Sequence, residues 1–379
     1  MNIKNKTIYK SIGIMSGTSM DGLDISYLKT DGLNVIKPIF NKTYNYSNLI
    51  KYFLRHSIES CEKKIAKNKN YFKKKGLFFE TIFSFFCSKK LNEFLKKFSL
   101  NDRNVDLIGF HGQTLYHNAK NKLSFQLGDA QYISNKLNIP VISKFRQADL
   151  DNDGQGAPLV PLYHQKLFSK KNKKIAVINI GGISNITFLI NNSKVFSSDI
   201  GPGNKLLDEY CKNILGEKYD FNGKHSAIGK ENDLVIREWK MKKIFSRGFP
   251  RSFNNNDFKI KDFCNKNFKN PYDYLKTLVC LTASLISDAI YLYDNSPNYI
   301  IICGGGALNK TLVKKIKDYV KKPVFLSDKF GLHHEFIESQ AFGYFGVRRL
   351  LELPVTFPST TGAKYPTICG EITHPRSLF

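Results

Sequence analysis

The chain has 379 residues. It lacks a C-x-x-C pair, the G-x-x-x-x-G-K-[ST] signature and a G-x-G-x-x-G turn between strand and helix. Without the second signature it is not a P-loop enzyme, and without the third a dinucleotide fold is disfavoured. Its seven cysteines are scattered and odd in number. That argues against a disulfide framework or a zinc ribbon and fits a reducing compartment. The longest strongly apolar stretch by eye, LFFETIFSFF (Leu77–Phe86), is short and carries Glu80, so we expect a buried amphipathic helix and no membrane partner. The opening MNIKNKTIYKSIGIM has lysines but no long apolar core or small-residue cleavage site. We therefore expect no export signal and a cytoplasmic protein. No period of 20–50 residues repeats, and no low-complexity linker stands out.

Acid is scarce. Asp and Glu number 32 against 58 Lys and Arg, leaving a net charge of +26. A polyanionic partner is one explanation. However, the lysines lie in KKIAKNKNYFKKKG, SKKNKKI and KKIKDYVKK, mixed with asparagines and without a helix-turn-helix or aromatic-basic pattern. We expect no nucleic-acid partner; a nucleic-acid module would bind tightly and with steep salt dependence.

What is present is glycine in particular places. GIMSGTSMDGLDIS (Gly13–Ser26) sits between apolar runs and reads as strand, small-residue turn, strand. KIAVINIGGISNITFLI, from Lys174, repeats that shape with Gly181 and Gly182 at its turn. A third strand, YIIICGGGALN (Tyr299–Asn309), runs into Gly304, Gly305 and Gly306. Between the last two, LKTLVCLTASLISDAIYLY places apolar residues on one helix face. Two hairpin-led halves and a glycine turn suggest a duplicated α/β architecture with the ligand in a cleft between two lobes. We expect one lobe over residues 1–143, completed by 355–379, and a second over 144–354.

Five polar clusters are candidate sites. In the opening loop, Ser16, Gly17, Thr18, Ser19 and Gly22 offer N–H and O–H donors to phosphates. Asp21 or Asp24 is placed to hold magnesium through water. A plain hairpin turn at Asp21-Gly22 explains the same residues. GFHGQTLYHN (Gly109–Asn118) sets His111, Gln113 and Thr114 just after an apolar strand, where α/β ligands bind; a satisfied loop histidine is the alternative. In KFRQADLDNDGQGAPLVPLYH (Lys144–His164), Arg146 has the fork that suits a carboxylate, or is structural. In SSDIGPGNKLLDEY (Ser197–Tyr210), Asp199 lies beside a glycine-rich helix entry and is a candidate general base, or a turn cap. Glu338 in HHEFIESQAFGYFGVRRL either faces substrate or interacts with a helix dipole.

Taken together, GIMSGTSMDGLD, GFHGQT, FRQADLDNDGQGAPLVP, NIGGISNIT, SDIGPGN, CGGGALN, ESQAF and LPVTFPSTTGAKYP resemble the anhydro-N-acetylmuramic acid kinase family of the actin-like/sugar-kinase superfamily, in order and over nearly the whole chain. The resemblance implies a two-lobed actin-like fold, ATP and magnesium as cofactors, and a homodimer. It also implies hydrolytic opening of a 1,6-anhydro sugar with phosphorylation of O6. By this likeness Asp199 matches the family's catalytic aspartate. Gly17, Thr18, Ser19, Met20, Asp21, Gly22, Leu23 and Asp24 become the ATP-phosphate loop, with Gly181, Gly182 and Gly304–Gly306 as further nucleotide contacts. Thr114, Arg146 and Glu338 are the candidates for the sugar. Two stretches depart from the family pattern. DLDNDG carries extra acids, and PRSFNNNDF stands where P-K-S-T-G-R-E is usual. Rival readings are a different sugar or carboxylate kinase, in which Asp199 deprotonates a substrate hydroxyl, and a nucleotide-switched binding protein.

Overall fold

A computed structural model of the chain describes residues 6–17, 20–65, 72–254, 257–264, 268–293 and 297–376. The chain divides into two compact units. The first comprises Met1–Lys166, Phe336–Pro358 and Gly362–Phe379; the second comprises Leu167–Glu335 and Ser359–Thr361.

In the first unit the strands are β1 (Tyr9–Ser16), β2 (Gly22–Thr30), β3 (Ile36–Asn45), β4 (Leu107–Asn118), β5 (Leu123–Leu127) and β6 (Val141–Ser143). In the second they are β7 (Lys174–Ile180), β8 (Ile183–Ile190), β9 (Lys194–Pro202), β10 (Tyr299–Cys303) and β11 (Val324–Leu326); β12 (Glu371–Thr373) returns to the first unit. The first sheet runs β12-β6-β4-β1-β2-β3 with β5 paired to β4, and the second runs β11-β10-β7-β8-β9. β1, β2 and β3 are antiparallel neighbours, and β4 and β6 continue parallel from β1. The second sheet repeats that pattern strand for strand. This is the duplication expected from the two hairpins, with β5 and β12 added to the first copy.

β1 is buried on both faces, as a near-continuous apolar strand should be. Ile12 and Ile14 join Leu54, Phe83, Leu91 and Phe94 in one core, beneath helices Asn48–Ile65 and Phe72–Lys97. On the opposite face the helix Ile337–Leu350 lies against bare backbone. A Cβ on Gly13 would fall 1.8 Å from the Ser339 carbonyl oxygen, and one on Gly109 would fall 1.9 Å from that of Phe342. Glycine is required at both positions because any side chain would enter the helix backbone.

The expected boundaries move for the same reason. The seam near residue 143 lies instead between 166 and 167, and the seam near 354 lies between 335 and 336. Residues 144–166 are tied to the first unit: Asn152 Nδ2 donates to the Tyr365 carbonyl at 2.8 Å, and Tyr163 donates to Gln340 Oε1 at 3.1 Å. These partners lie about two hundred residues away in sequence, so local composition carries no sign of them.

LFFETIFSFF does fall within a helix, but the most apolar helix is Pro271–Tyr293 in the second unit. By length and composition, its residues Pro271–Leu292 meet the requirement for crossing a membrane. The helix is instead surrounded by protein: Leu275, Leu278, Val279, Leu281, Ile286 and Ile290 are all buried in the core of that unit. A helix apolar nearly all round is a core helix here.

Candidate active site

In the first unit, the β1–β2 connection comprises residues 17–21; Thr18 and Ser19 lie outside the described residues. The Met20 N–H donates to the Gly17 carbonyl at 3.1 Å, and Met20 holds φ at +55°. That left-handed conformation is uncommon for a residue with a long side chain, and such outliers concentrate at functional loops. Behind the loop, buried Ser16 bonds both the Tyr46 hydroxyl at 2.6 Å and Gln113 Oε1. The Asp21 carbonyl accepts from the Tyr46 N–H at 3.0 Å. Gly22 and Leu23 begin β2 and are buried, whereas the Asp21 side chain is exposed. Asp24 accepts from Thr43 Oγ1 at 2.6 Å across the β2–β3 pair, so its carboxylate is engaged in the sheet.

The second cluster lies within a strand, not beyond its end. β4 continues to Asn118, with Gly112 at φ +76° and an irregularity against β5 between Thr114 and Tyr116. Thr114 is half-buried on this strand. His111 is 3% exposed. Its Nε2 accepts from Arg146 Nε at 3.0 Å, and its Nδ1 lies 2.8 Å from the Gly112 carbonyl. Burial, and then the Arg146 charge, hold this imidazole well below its ordinary pKa. It is therefore a neutral ring that accepts from Arg146 and donates to Gly112. Arg146 Nη1 also donates to the Gly156 carbonyl at 2.6 Å, while the Gly156 N–H donates to fully buried Asp149 at 2.7 Å. Arg146 is thus aimed by His111 and by the G-Q-G loop. In the structure the G-Q-G loop holds the Arg146 side chain through the Gly156 carbonyl. His111 was legible only as a candidate, because its partner lies 35 residues downstream.

Glu338 is half-buried in the first turn of Ile337–Leu350. Its neighbours are structural: Ser339 bonds Ser26 at 2.6 Å and Gln340 donates to Asn41 at 3.1 Å. Asp21, Gly22, Asp24, Thr114, Arg146 and Glu338 all belong to the first unit.

The second unit holds Asp199 and the remaining glycines. Asp199 lies inside β9 rather than at its end, since the strand continues to Pro202. It is 6% exposed, and its Oδ2 accepts from the Phe253 N–H at 2.8 Å. A backbone donor to a carboxylate favours the charged form, the form a general base needs. Opposite β8, Asn185 pairs with Asp199 and Ser184 with Gly201, leaving Ile200 as a bulge. Bulges re-aim side chains beside sites.

The two-residue β7–β8 turn is Gly181-Gly182. Their carbonyls accept from the N–H groups of Asn204, Gly203 and Lys205 at 2.8–3.1 Å, serving the start of helix Lys205–Tyr210. That helix continues as a wider turn over Cys211–Leu215. Gly304, at φ +80°, and Gly306 pack tightly: their Cβ atoms would meet Asn179 Oδ1 at 2.4 Å and Ile180 Cγ2 at 2.3 Å. Gly181 and Gly305 differ. A Cβ there would have one neighbour each within 4 Å, Ile183 O at 3.6 Å and Asn204 Nδ2 at 3.7 Å. The backbone is bare on that side, which suits close approach of a ligand.

His333 and His334 both lie near Asp328, with His334 Nδ1 at 3.0 Å from its carboxylate. Among the described residues, no group of three His, Cys, Asp or Glu side chains is arranged to hold a metal. Magnesium characteristically keeps several waters and is shared with substrate phosphates, so the exposed Asp21 beside the loop fits such a role without a protein cage.

Two sheets that share a five-strand order, each led by a hairpin and one followed by a strand-to-glycine turn, define the actin-like and sugar-kinase class. Within that class, the chain belongs to the anhydro-N-acetylmuramic acid kinase family, whose profile matches residues 9–375. A Pelagibacter ubique protein named anhydro-N-acetylmuramic acid kinase is 39% identical, the alignment covering 96% of this chain and 97% of that protein. One of the same name from Zymomonas mobilis is 33% identical over 96% of this chain and 99% of that protein. Among solved structures, (R)-2-hydroxyglutaryl-CoA dehydratase component A of Acidaminococcus fermentans is similar with a TM-score of 0.46 at 9% identity, covering 90% of this chain and 99% of that one.

Proposed function

We infer that this chain is an ATP-dependent kinase of 1,6-anhydro-N-acetylmuramic acid. It opens the anhydro bridge with water and phosphorylates O6, giving N-acetylmuramic acid 6-phosphate during cell-wall recycling. The observation that carries this reading is membership of the family along residues 9–375. The buried, backbone-bonded Asp199 supplies the group the chemistry demands.

In this reading Asp199 accepts a proton from water as the water oxygen bonds to C1, as the base of an inverting glycosidase does. The C1–O6 bond breaks, and O6, rather than being protonated by an acid, forms the new bond to phosphorus. ATP supplies the phosphoryl group, and magnesium bound with it neutralises phosphate charge. The β1–β2 connection, held in shape by Ser16, Tyr46 and Gln113, offers backbone donors to the phosphates. Arg146, oriented by His111 and Gly156, is suited to the substrate carboxylate, and Thr114 and Glu338 contribute further sugar contacts. The cytoplasm, where ATP is available, and a homodimer belong to this reading; a sizing column tests the second.

The test is sugar-dependent ADP release in isotopically labelled water, beside an Asp199→Asn variant. Label at C1 and a loss of at least ~10³-fold in the variant are expected. ADP release with an ordinary hexose but not with the anhydro sugar would overturn the ring-opening reading.

A further inference from the structure

The segment PRSFNNNDF departs from the family pattern, and in the structure its arginine is committed to Asp199. We propose that Arg251 is a positioning residue: its guanidinium braces the β9 bulge and thereby aims the Asp199 carboxylate. This rests on Asp199 being the base.

Arg251 is 7% exposed. Nε donates to the Asp199 carbonyl at 3.2 Å, and Nη2 donates to the Ile200 carbonyl at 2.6 Å. Those two carbonyls belong to Asp199 itself and to Ile200, the bulge residue after it. Nη1 donates to the Phe245 and Arg247 carbonyls at 2.7 and 2.9 Å. One planar fork therefore ties two segments together. The Arg251 backbone adds to the tie: its carbonyl accepts from the Asp199 N–H, and its N–H donates to Ser198 Oγ, both at 3.0 Å. The guanidinium carbon sits 4.3 Å from the Phe249 ring centroid and 5.0 Å from that of Phe253. The flanking aromatics fix the plane of the fork.

A bulge residue has no cross-strand partner, so its peptide groups need other ones. Arg251 donates to the Ile200 carbonyl, and in doing so carries the 251–253 segment to the place where the Phe253 N–H reaches Asp199 Oδ2. Phe253 itself is buried and packs edge-on against Phe258 at 5.0 Å. That contact accounts structurally for a bulky residue where the family usually has a small one. Across the ladder Asp199 is paired with Asn185, which is uncharged.

The experiment uses Arg251→Lys in the full-length protein. Lysine keeps the charge but cannot donate to four carbonyls in one plane. The expected result is a 10- to 100-fold fall in kcat, roughly what a base displaced by about 1 Å loses, with the KM for ATP within about twofold. The acid limb of the kcat profile should move up, because the carboxylate loses the Phe253 N–H, a donor that favours its charged form. A merely structural role would lower the melting temperature and leave the acid limb in place. Phe249→Leu removes one stacking face and carries the same test if Arg251→Lys does not fold; its acid limb should move the same way by less. A folded Arg251→Lys enzyme with wild-type kcat and an unmoved acid limb would overturn the proposal. Asp199→Asn run alongside separates the two failures. An active Asp199→Asn variant removes Asp199 as the base, whereas an inactive one beside a normal Arg251→Lys enzyme removes only the brace.

Discussion

The two sheets share one strand order, yet their leading hairpins do different things. The β1–β2 connection spans residues 17–21 and contains a non-glycine residue at φ +55°. A Ser–Tyr–Gln network buttresses it from behind. The β7–β8 turn is two glycines long, and its carbonyls are occupied by the N–H groups that open the next helix. Duplication therefore conserved the platform while the loops diverged. The first turn holds Met20 in a left-handed conformation over the buried Ser16. The second is a packing joint that leaves one bare face at Gly181 and, nearby through Asn204, another at Gly305. Topology alone does not locate a site; the partners already taken by each loop's polar groups do.

The sheets also differ in what lies on them. In the first unit a helix backbone rests on Gly13 and Gly109, whereas β7 (KIAVINI) contains no glycine and lies in a side-chain core. The largest expected effect follows. Gly13→Ala places a methyl carbon within 2 Å of a helix carbonyl oxygen, forcing the helix Ile337–Leu350 off its seat. We expect a loss of about 3 kcal/mol or more in denaturant unfolding, or no soluble protein. Gly248→Ala in the second unit, where nothing lies within 4 Å of the added carbon, should stay within about 0.5 kcal/mol of wild type. Equal stabilities for the two would show that the seat is not tight.

Acid separates the units next. Burial lowers the imidazole of His164 to about 3; burial and then Arg146 lower that of His117 to about 3. Both lie in the first unit, as does the neutral His111. The unfolded chain binds protons at these rings from about pH 6.5 downward, whereas the folded chain does not until near pH 3. Their stabilising contribution is thus complete above pH 6.5 and is lost as pH falls toward 3. By pH 5 each ring has lost about 2 kcal/mol of that contribution. Hydrogen exchange should show the first unit losing protection before the second as pH drops, and His164→Gln should flatten the dependence. A melting temperature constant between pH 7 and 4 would contradict burial of these rings in neutral form.

Much of this was legible in advance for physical reasons. Strand–turn–strand patterning and glycine at turns are local signals, so both hairpins, the Gly304–Gly306 turn and the buried helix near residue 280 were readable. The long-range ties were not. Gly13 lies in the apolar run before the opening turn with no sign of the Ser339 carbonyl above it, and Asn152 gives no hint of Tyr365. Arg251 reads as a retained charge until its four carbonyl partners are assembled. Asp199 stands out as a candidate because a carboxylate beside Gly201-Pro202-Gly203 is unusual locally, and its Phe253 donor is hidden because it comes from 54 residues away. The family resemblance supplied the reaction, which no local pattern carries.

The smallest effect tests the division of labour among the glycines of the second unit. Gly305 and Gly306 are adjacent, and propensity treats them alike. Their surroundings do not: an added Cβ at Gly306 collides with Ile180 at 2.3 Å, whereas one at Gly305 meets Asn204 alone, at 3.7 Å. Gly306→Ala should therefore lower stability by about 1–3 kcal/mol through overpacking. Gly305→Ala should fold normally, because neither clash nor positive φ opposes it. In the proposed reading, in which the nucleotide meets this bare face, its methyl group enters the nucleotide's space. The KM for ATP should accordingly rise several-fold, which is under about 1.4 kcal/mol, while kcat and the KM for the sugar change little. The two variants thus split one glycine run into a structural residue and a binding residue. An unchanged KM for ATP in Gly305→Ala would place the nucleotide away from this turn and leave the β1–β2 connection as the part of the duplicated fold that meets it.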